Sequence, residues 1–324
     1  MICRDRPPGR SVYEILSIFW TVEDAGPYKV GVQNQKLPQF CVGTNENFEQ
    51  CSKIPFTVVW YNISKKKENT MPYYFPFGQE LHPLVQEDKS PKKVFVLGVY
   101  ASAVHARWKI GGQVVCQALA VASEPRIFWD GNEDEARAII GQINIPKELG
   151  YLEPAGKQLN GPSAKVLDEN ILAPLGFTRN DAWLCDCLPE TRINPSQAKA
   201  IKDKYNPLIE QYHLNPVTIP ARPSAFCDKA RSIEITEELM QSEAELLILL
   251  GDIPIAQYLK KVADIPYSTL GEYVDMYGYG TKTDVVINGK KIKVLTLAHP
   301  RQIGALGAHS EKWFLAHKEW EKQQ

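Results

Sequence analysis

Four short apolar runs constrain this chain more than any other feature of its 324 residues. They are VFVL at 94–97, AWLCDCL at 182–188, LLILL at 246–250 and VLTLA at 294–298. Each is apolar at consecutive positions, not at alternate ones. That pattern suits strands buried on both faces, as in a parallel sheet. Segments of helical character lie between them. EDEARAIIGQI at 133–143 opens with acidic residues, which suit a helix amino terminus. The stretch 156–177 runs from a glycine-rich loop into an amphipathic helix, with Ser163 a candidate cap. Residues 196–212 keep helical spacing with an interruption at Pro207, and 235–245 leads directly into the third run. Asn288-Gly289 marks a hairpin turn before the fourth run, and 310–323 reads as a final helix. Residues 113–122 are expected to form a helix or a long turn. Strands alternating with helices predict an α/β fold with a central four-stranded parallel sheet and helices on both faces.

In such sheets ligands bind outside the carboxyl ends of the strands. Here those ends are Gly98, Asp186-Cys187, Gly251-Asp252 and His299, and they should converge on one crevice. Gly98 is followed by Tyr100, Ala101, Ser102, Ala103 and His105, a glycine turn with small and polar groups suited to close approach by a ligand.

Residues 1–90 read as a β-rich extension packed on a main domain at 91–324. FTVVWYNIS at 56–64 is strand-like, Lys65-Lys66-Lys67 is a solvated turn or a phosphate contact, and 71–83 is an aromatic, proline-punctuated loop that must pack on something. A formal net charge of −1 gives no global basic footprint, so any nucleic-acid surface must be a local patch. Seven cysteines at scattered spacings form no paired CxxC motif, which argues against structural zinc and iron–sulfur clusters and for reduced, mostly buried thiols. No apolar run reaches membrane-spanning length. The opening MICRDRPPGRS lacks the apolar core of a secretion signal, so a cytoplasmic location is expected.

From 92 to 320 the chain resembles the uracil-DNA glycosylase superfamily. The motifs GVYASAVH, GKQLNGPSAKVLDENIL followed by AWLCDCLP, LLILLGDIPI, and LTLAHPRQIG followed by Ser310 and Trp313 occur in the family's order. The resemblance implies a monofunctional enzyme that holds an extruded base in a pocket and breaks its N-glycosidic bond, with double-stranded DNA as partner. No metal, organic cofactor or obligate protein partner is implied. His299 would hydrogen-bond the pyrimidine O2 as negative charge develops there. Gly98, Tyr100, Ala101, Ser102, Leu159 and Asn160 would line the base pocket. Ile303 would wedge into the duplex, with Arg301, Gln302 and Ser163 contacting DNA.

Three departures shape the expectation further. Tyr100 occupies a position where the family often has an acid or amide that orients water, which leaves Asp130, Glu124 and Asn160 as candidates for that task. Ala101-Ser102-Ala103 replaces a tyrosine that excludes 5-substituted bases. Asp186 stands where an asparagine commonly reads uracil. An ionised aspartate only accepts hydrogen bonds, so it suits the exocyclic amino group of cytosine. Together these point to cytosine with a bulky 5-substituent, as removed by an anti-phage branch, the bacteriophage replication inhibition DNA glycosylases, which acts on glucosylated hydroxymethylcytosine. A uracil or deaminated-base repair glycosylase and a catalytically silent DNA-binding module are the alternatives.

Overall fold

The computed structural model describes residues 72–305 and 310–324. FTVVWYNIS and the lysine run fall outside the described residues. The protein is α/β. Strands β1 (Val94–Tyr100), β5 (Ala182–Leu188), β6 (Leu246–Leu250), β7 (Lys282–Ile287) and β8 (Lys290–Leu297) form one sheet in the order β5-β1-β6-β8-β7. β1, β5, β6 and β8 run parallel to their neighbours in that group, and β7 pairs antiparallel with β8. The sheet is therefore five-stranded and mixed, where four parallel strands were expected. The addition is the first arm of the hairpin, which turns through Asn288 and Gly289, both at positive φ. A two-residue turn of that kind forces the arms to pair.

All five residues of β6 are buried, as are the first five of β1 and the first six of β5. Each aliphatic side chain so buried stabilises the fold by about 1.5–3 kcal/mol. The helix Lys229–Gln241 packs on β5, and Asp228 caps its start by accepting from the Arg231 N–H at 2.8 Å. Cys185, Cys187 and Cys227 are buried free thiols, while Cys116 is half-buried.

A second, antiparallel sheet has the order β3-β2-β4, built from β2 (Ala103–Ile110), β3 (Gln113–Ser123) and β4 (Tyr151–Pro154). Residues 113–122, expected as a helix or turn, are thus a strand. Gly111 and Gly112 both take positive φ and fold β3 back onto β2. Long-range pairing across that turn overrides any local helical tendency.

This sheet has its own core around Trp108, whose indole donates to the Leu149 carbonyl at 2.7 Å. Phe77 meets Trp108 and Tyr205 edge-on at 5.4 and 5.1 Å between ring centres. The described part of the aromatic loop, 72–83, therefore packs through Phe75, Phe77 and Leu81, as its composition requires. Residues 72–90 belong to the compact unit Met71–Gln324. Among the described residues no helix is long and apolar enough to cross a membrane.

Candidate active site

Chain order fixes where a crevice must open. From β1 the chain passes to β5 on one side, whereas from β6 it passes to β8 on the other. Connections leaving in opposite directions part above β1 and β6, and ligand sites of open α/β sheets sit at such a switch point. β5 supplies one wall and the segment after β8 the other. Those outer strands are three spacings apart, roughly 14 Å between backbones.

Asp186 forms the first wall. It stands beside Gly98 in register, and a Cβ built on Gly98 would lie 2.3 Å from Asp186 Oδ1 and 2.9 Å from Phe128 Cζ. Only a glycine leaves space for that carboxyl and that ring together. Phe128 holds φ at 49°, a conformation costly for a bulky side chain, and its ring remains half-buried. Asp186 is buried, and burial raises its carboxyl to about 7 against a lowering by Arg231. Glu124 is buried beside it. Desolvation, then the neighbouring Asp186 charge, raises Glu124 to about 8, while the Trp129 backbone N–H and the Ser102 hydroxyl favour its ionised form.

His299 forms the opposite wall. It is the cap of the short helix Pro300–Ile303, and its Nδ1 accepts from the Arg301 backbone N–H at 3.2 Å. The His299 backbone N–H donates to Gln302 Oε1 at 3.3 Å. Burial lowers His299 to about 4, and the charges of Arg301 and Arg222 act in the same direction. The ring is therefore neutral at pH 7. With Nδ1 accepting, the proton resides on Nε2, which becomes a hydrogen-bond donor. Gly251, at φ 88°, lies 3.3 Å from the His299 Cβ when given a Cβ of its own, so the β6 turn supports the histidine from below.

Tyr100 bridges the floor to a basic group. Arg222 donates to its hydroxyl and stacks over its ring with the guanidinium carbon 5.0 Å from the ring centre. Arg222 and Arg301 are exposed, and the charges of both act on His299.

Several expected residues have other roles. Asn160 is buried, with Oδ1 accepting from the His105 N–H at 2.8 Å and Nδ2 donating to the His105 carbonyl at 2.9 Å. Its amide acts as one rung of β2, which removes it from the water-orienting candidates. Asp130 is exposed in an ion pair with Arg126 at 2.8 Å. Of the three candidates only Glu124 joins the Asp186 cluster. Ile303 is 2% exposed and packs in the main core, so it is no wedge. Gln302 closes the cap at His299. Ser163 does not cap its helix either. Gly161 at φ 78° precedes Pro162–Val166, with no side-chain capping bond, and its backbone crosses close to that of Asp130. Leu159 is 41% exposed on the same loop. Ala101 and Ala103 are buried, one in each core, which leaves Ser102 exposed between them.

Phe128 and Arg222 are the residues that sequence reasoning missed. The polar-aromatic FWDGN segment hinted at the first, and nothing in ARPSAF singled out the second. Two surface clefts, beside Ile140 and Tyr151 and beside Tyr73 and Asn215, include none of this cluster. Among the described residues no three His, Cys, Asp or Glu side chains are grouped to hold a metal ion. No protein-family model matches this chain, and no curated protein matches it in sequence.

Proposed function

We propose that the crevice above β1 and β6 is the active site of a DNA glycosylase acting on an extruded, 5-substituted cytosine, a glucosylated hydroxymethylcytosine. The observation that carries this reading is the opposition of His299 and Asp186. A neutral imidazole whose Nδ1 is occupied follows the end of β8, and a buried carboxyl lies on β5, three strands away in the order β5-β1-β6-β8. A flipped cytosine presents an acceptor, O2, toward one such group and an amino donor, N4, toward the other. As the glycosidic bond breaks, negative charge grows on the base, and an oriented donor in a buried setting stabilises it. Phe128 supplies a face for the ring beside Gly98. Arg222 and Arg301, both exposed and both acting on His299, suit phosphates beside the flipped nucleotide. This arrangement is in keeping with the resemblance to the uracil-DNA glycosylase superfamily.

One observation favours a second reading. Burial raises Asp186 to about 7, so below that pH it becomes a donor and suits the O4 of uracil. Release of free bases from duplexes carrying uracil, cytosine, hydroxymethylcytosine or its glucosylated form, measured by mass from pH 6 to 8.5, separates the two. The proposal expects the modified cytosine to be released at pH 7.5 and His299→Ala to slow this at least 100-fold, the loss typical of an oxyanion donor. Uracil as the sole product supports the repair reading. Tight DNA binding with no base released under any condition sinks both.

A further inference from the structure

We propose that Glu124 is the proton donor of this site, delivering its carboxyl proton to N3 of the departing cytosine while Asp186 accepts from N4. The inference rests on the glycosylase reading and deepens it.

Three observations support it. Glu124 is 6% exposed, and it lies against Asp186, the Ser102 hydroxyl and the Trp129 N–H, on the segment that also carries Phe128. Burying two carboxyls together is costly, since each raises the cost of ionising the other. The charged groups that act on the pair are Arg179 on the Glu124 side and Arg231 on the Asp186 side. Arg179 is engaged by Asp168 at 2.7 Å, and Arg231 donates to the Asp186 backbone carbonyl at 2.8 Å. Burial raises both carboxyls, and the Asp186 charge raises Glu124 further, so the pair retains a proton toward neutral pH. One donor and one acceptor side by side complement the N3 acceptor and N4 donor of cytosine.

The chemistry calls for such a donor. A cytosine anion leaves less readily than a uracil anion, because it lacks the second carbonyl that spreads the charge. In the proposed step the C1′–N1 bond breaks and its electron pair passes into the base. N3 takes the proton from Glu124, so the base departs neutral. Water adds to C1′ and loses a proton to solvent, and the Glu124 carboxylate regains one from solvent. Atoms and charge balance without an oxidant, a reductant or a metal.

The test uses the full chain and two duplexes with the same 5-substituent, glucosylated hydroxymethylcytosine and glucosylated hydroxymethyluracil. Single-turnover release is followed from pH 6 to 9.5 for the wild type and Glu124→Gln. The expected result is a 10²–10⁴-fold loss for the cytosine duplex in Glu124→Gln, the range of general acid catalysis, with uracil-type release changed less than about threefold. The wild-type rate on the cytosine duplex should fall as pH rises past about 8, and the variant should lose that alkaline limb. Equal losses on both bases, or no loss, overturn the proposal while leaving the glycosylase reading in place. Should Glu124→Gln fail to fold, a wild-type cytosine profile without an alkaline limb overturns it as well. Failure of the wild type to release either base removes the glycosylase reading itself.

Discussion

Gly98→Ala tests the floor of the site with one added methyl group. The new Cβ would sit 2.3 Å from Asp186 Oδ1 and 2.9 Å from Phe128 Cζ. Ordinary contact lies near 3.5 Å, so the carboxyl must retreat by roughly 1 Å and the ring by about half that. Gly98 lies in regular β1 backbone with no positive φ, so backbone strain contributes nothing to the cost. What remains is overpacking, about 1–3 kcal/mol. Equilibrium urea denaturation would show it as a lowered midpoint at unchanged slope. The cause can be isolated by repeating the change in an Asp186→Ala background, where the nearer of the two clashing groups is gone. The cost of Gly98→Ala should then fall by about 1 kcal/mol or more, a coupling expected only of groups in contact. Strictly additive effects of the two substitutions would refute the placement of Asp186 over Gly98, and with it the wall on which the site depends.

Other outcomes follow from the same geometry. Asp186 and Glu124 are raised to about 7 and 8, and their contribution to stability, full below the unfolded values near 4, is lost as pH rises through the folded ones; His105 and His299, lowered to about 4, contribute above the unfolded value near 6.5 and lose it as pH falls. Cys227, lowered to about 7, gains stability over the same range, so the carboxyl effect is read by comparison: from pH 6.5 to 8 the wild type should lose stability relative to Glu124→Gln, and parallel pH profiles for the two contradict the buried carboxyl pair. Ile303→Ala should cost about 2–5 kcal/mol as a core cavity and leave DNA affinity nearly unchanged at temperatures where it stays folded. Weakened DNA binding at full stability would restore the wedge. Asn160→Ala removes both bonds to the His105 backbone and should lower stability by about 1–3 kcal/mol, read by thermal melting.

The four principal strands were legible because strands buried on both faces leave an unbroken apolar signature, as in LLILL. The Asn288-Gly289 hairpin was legible because its turn demands positive φ at both positions. The same logic applied to Gly111-Gly112 would have found β3, but the Ala-rich run beyond it reads equally well as helix. Asp186 lies two residues inside the end of β5, while His299 was legible as the residue just beyond the fourth run. The side-chain partners were not. Whether Asn160 faces a ligand or a strand depends on the path of residues 103–108, which is distant in sequence. Ile303 reads as wedge or core alike until its helix is docked on Pro162–Val166. Phe128 escaped because its importance lies in a backbone angle.

The rung that Asn160 adds to β2 has a bearing on plasticity. A loop held through an amide that mimics the main chain cannot breathe without breaking two bonds at once. The neighbouring crossing of Gly161 over Asp130 leaves no slack on its other flank. Tolerance for larger or smaller ligands must therefore come from exchange of outward side chains such as Leu159 and Ser102, and not from movement of the loop that bears them.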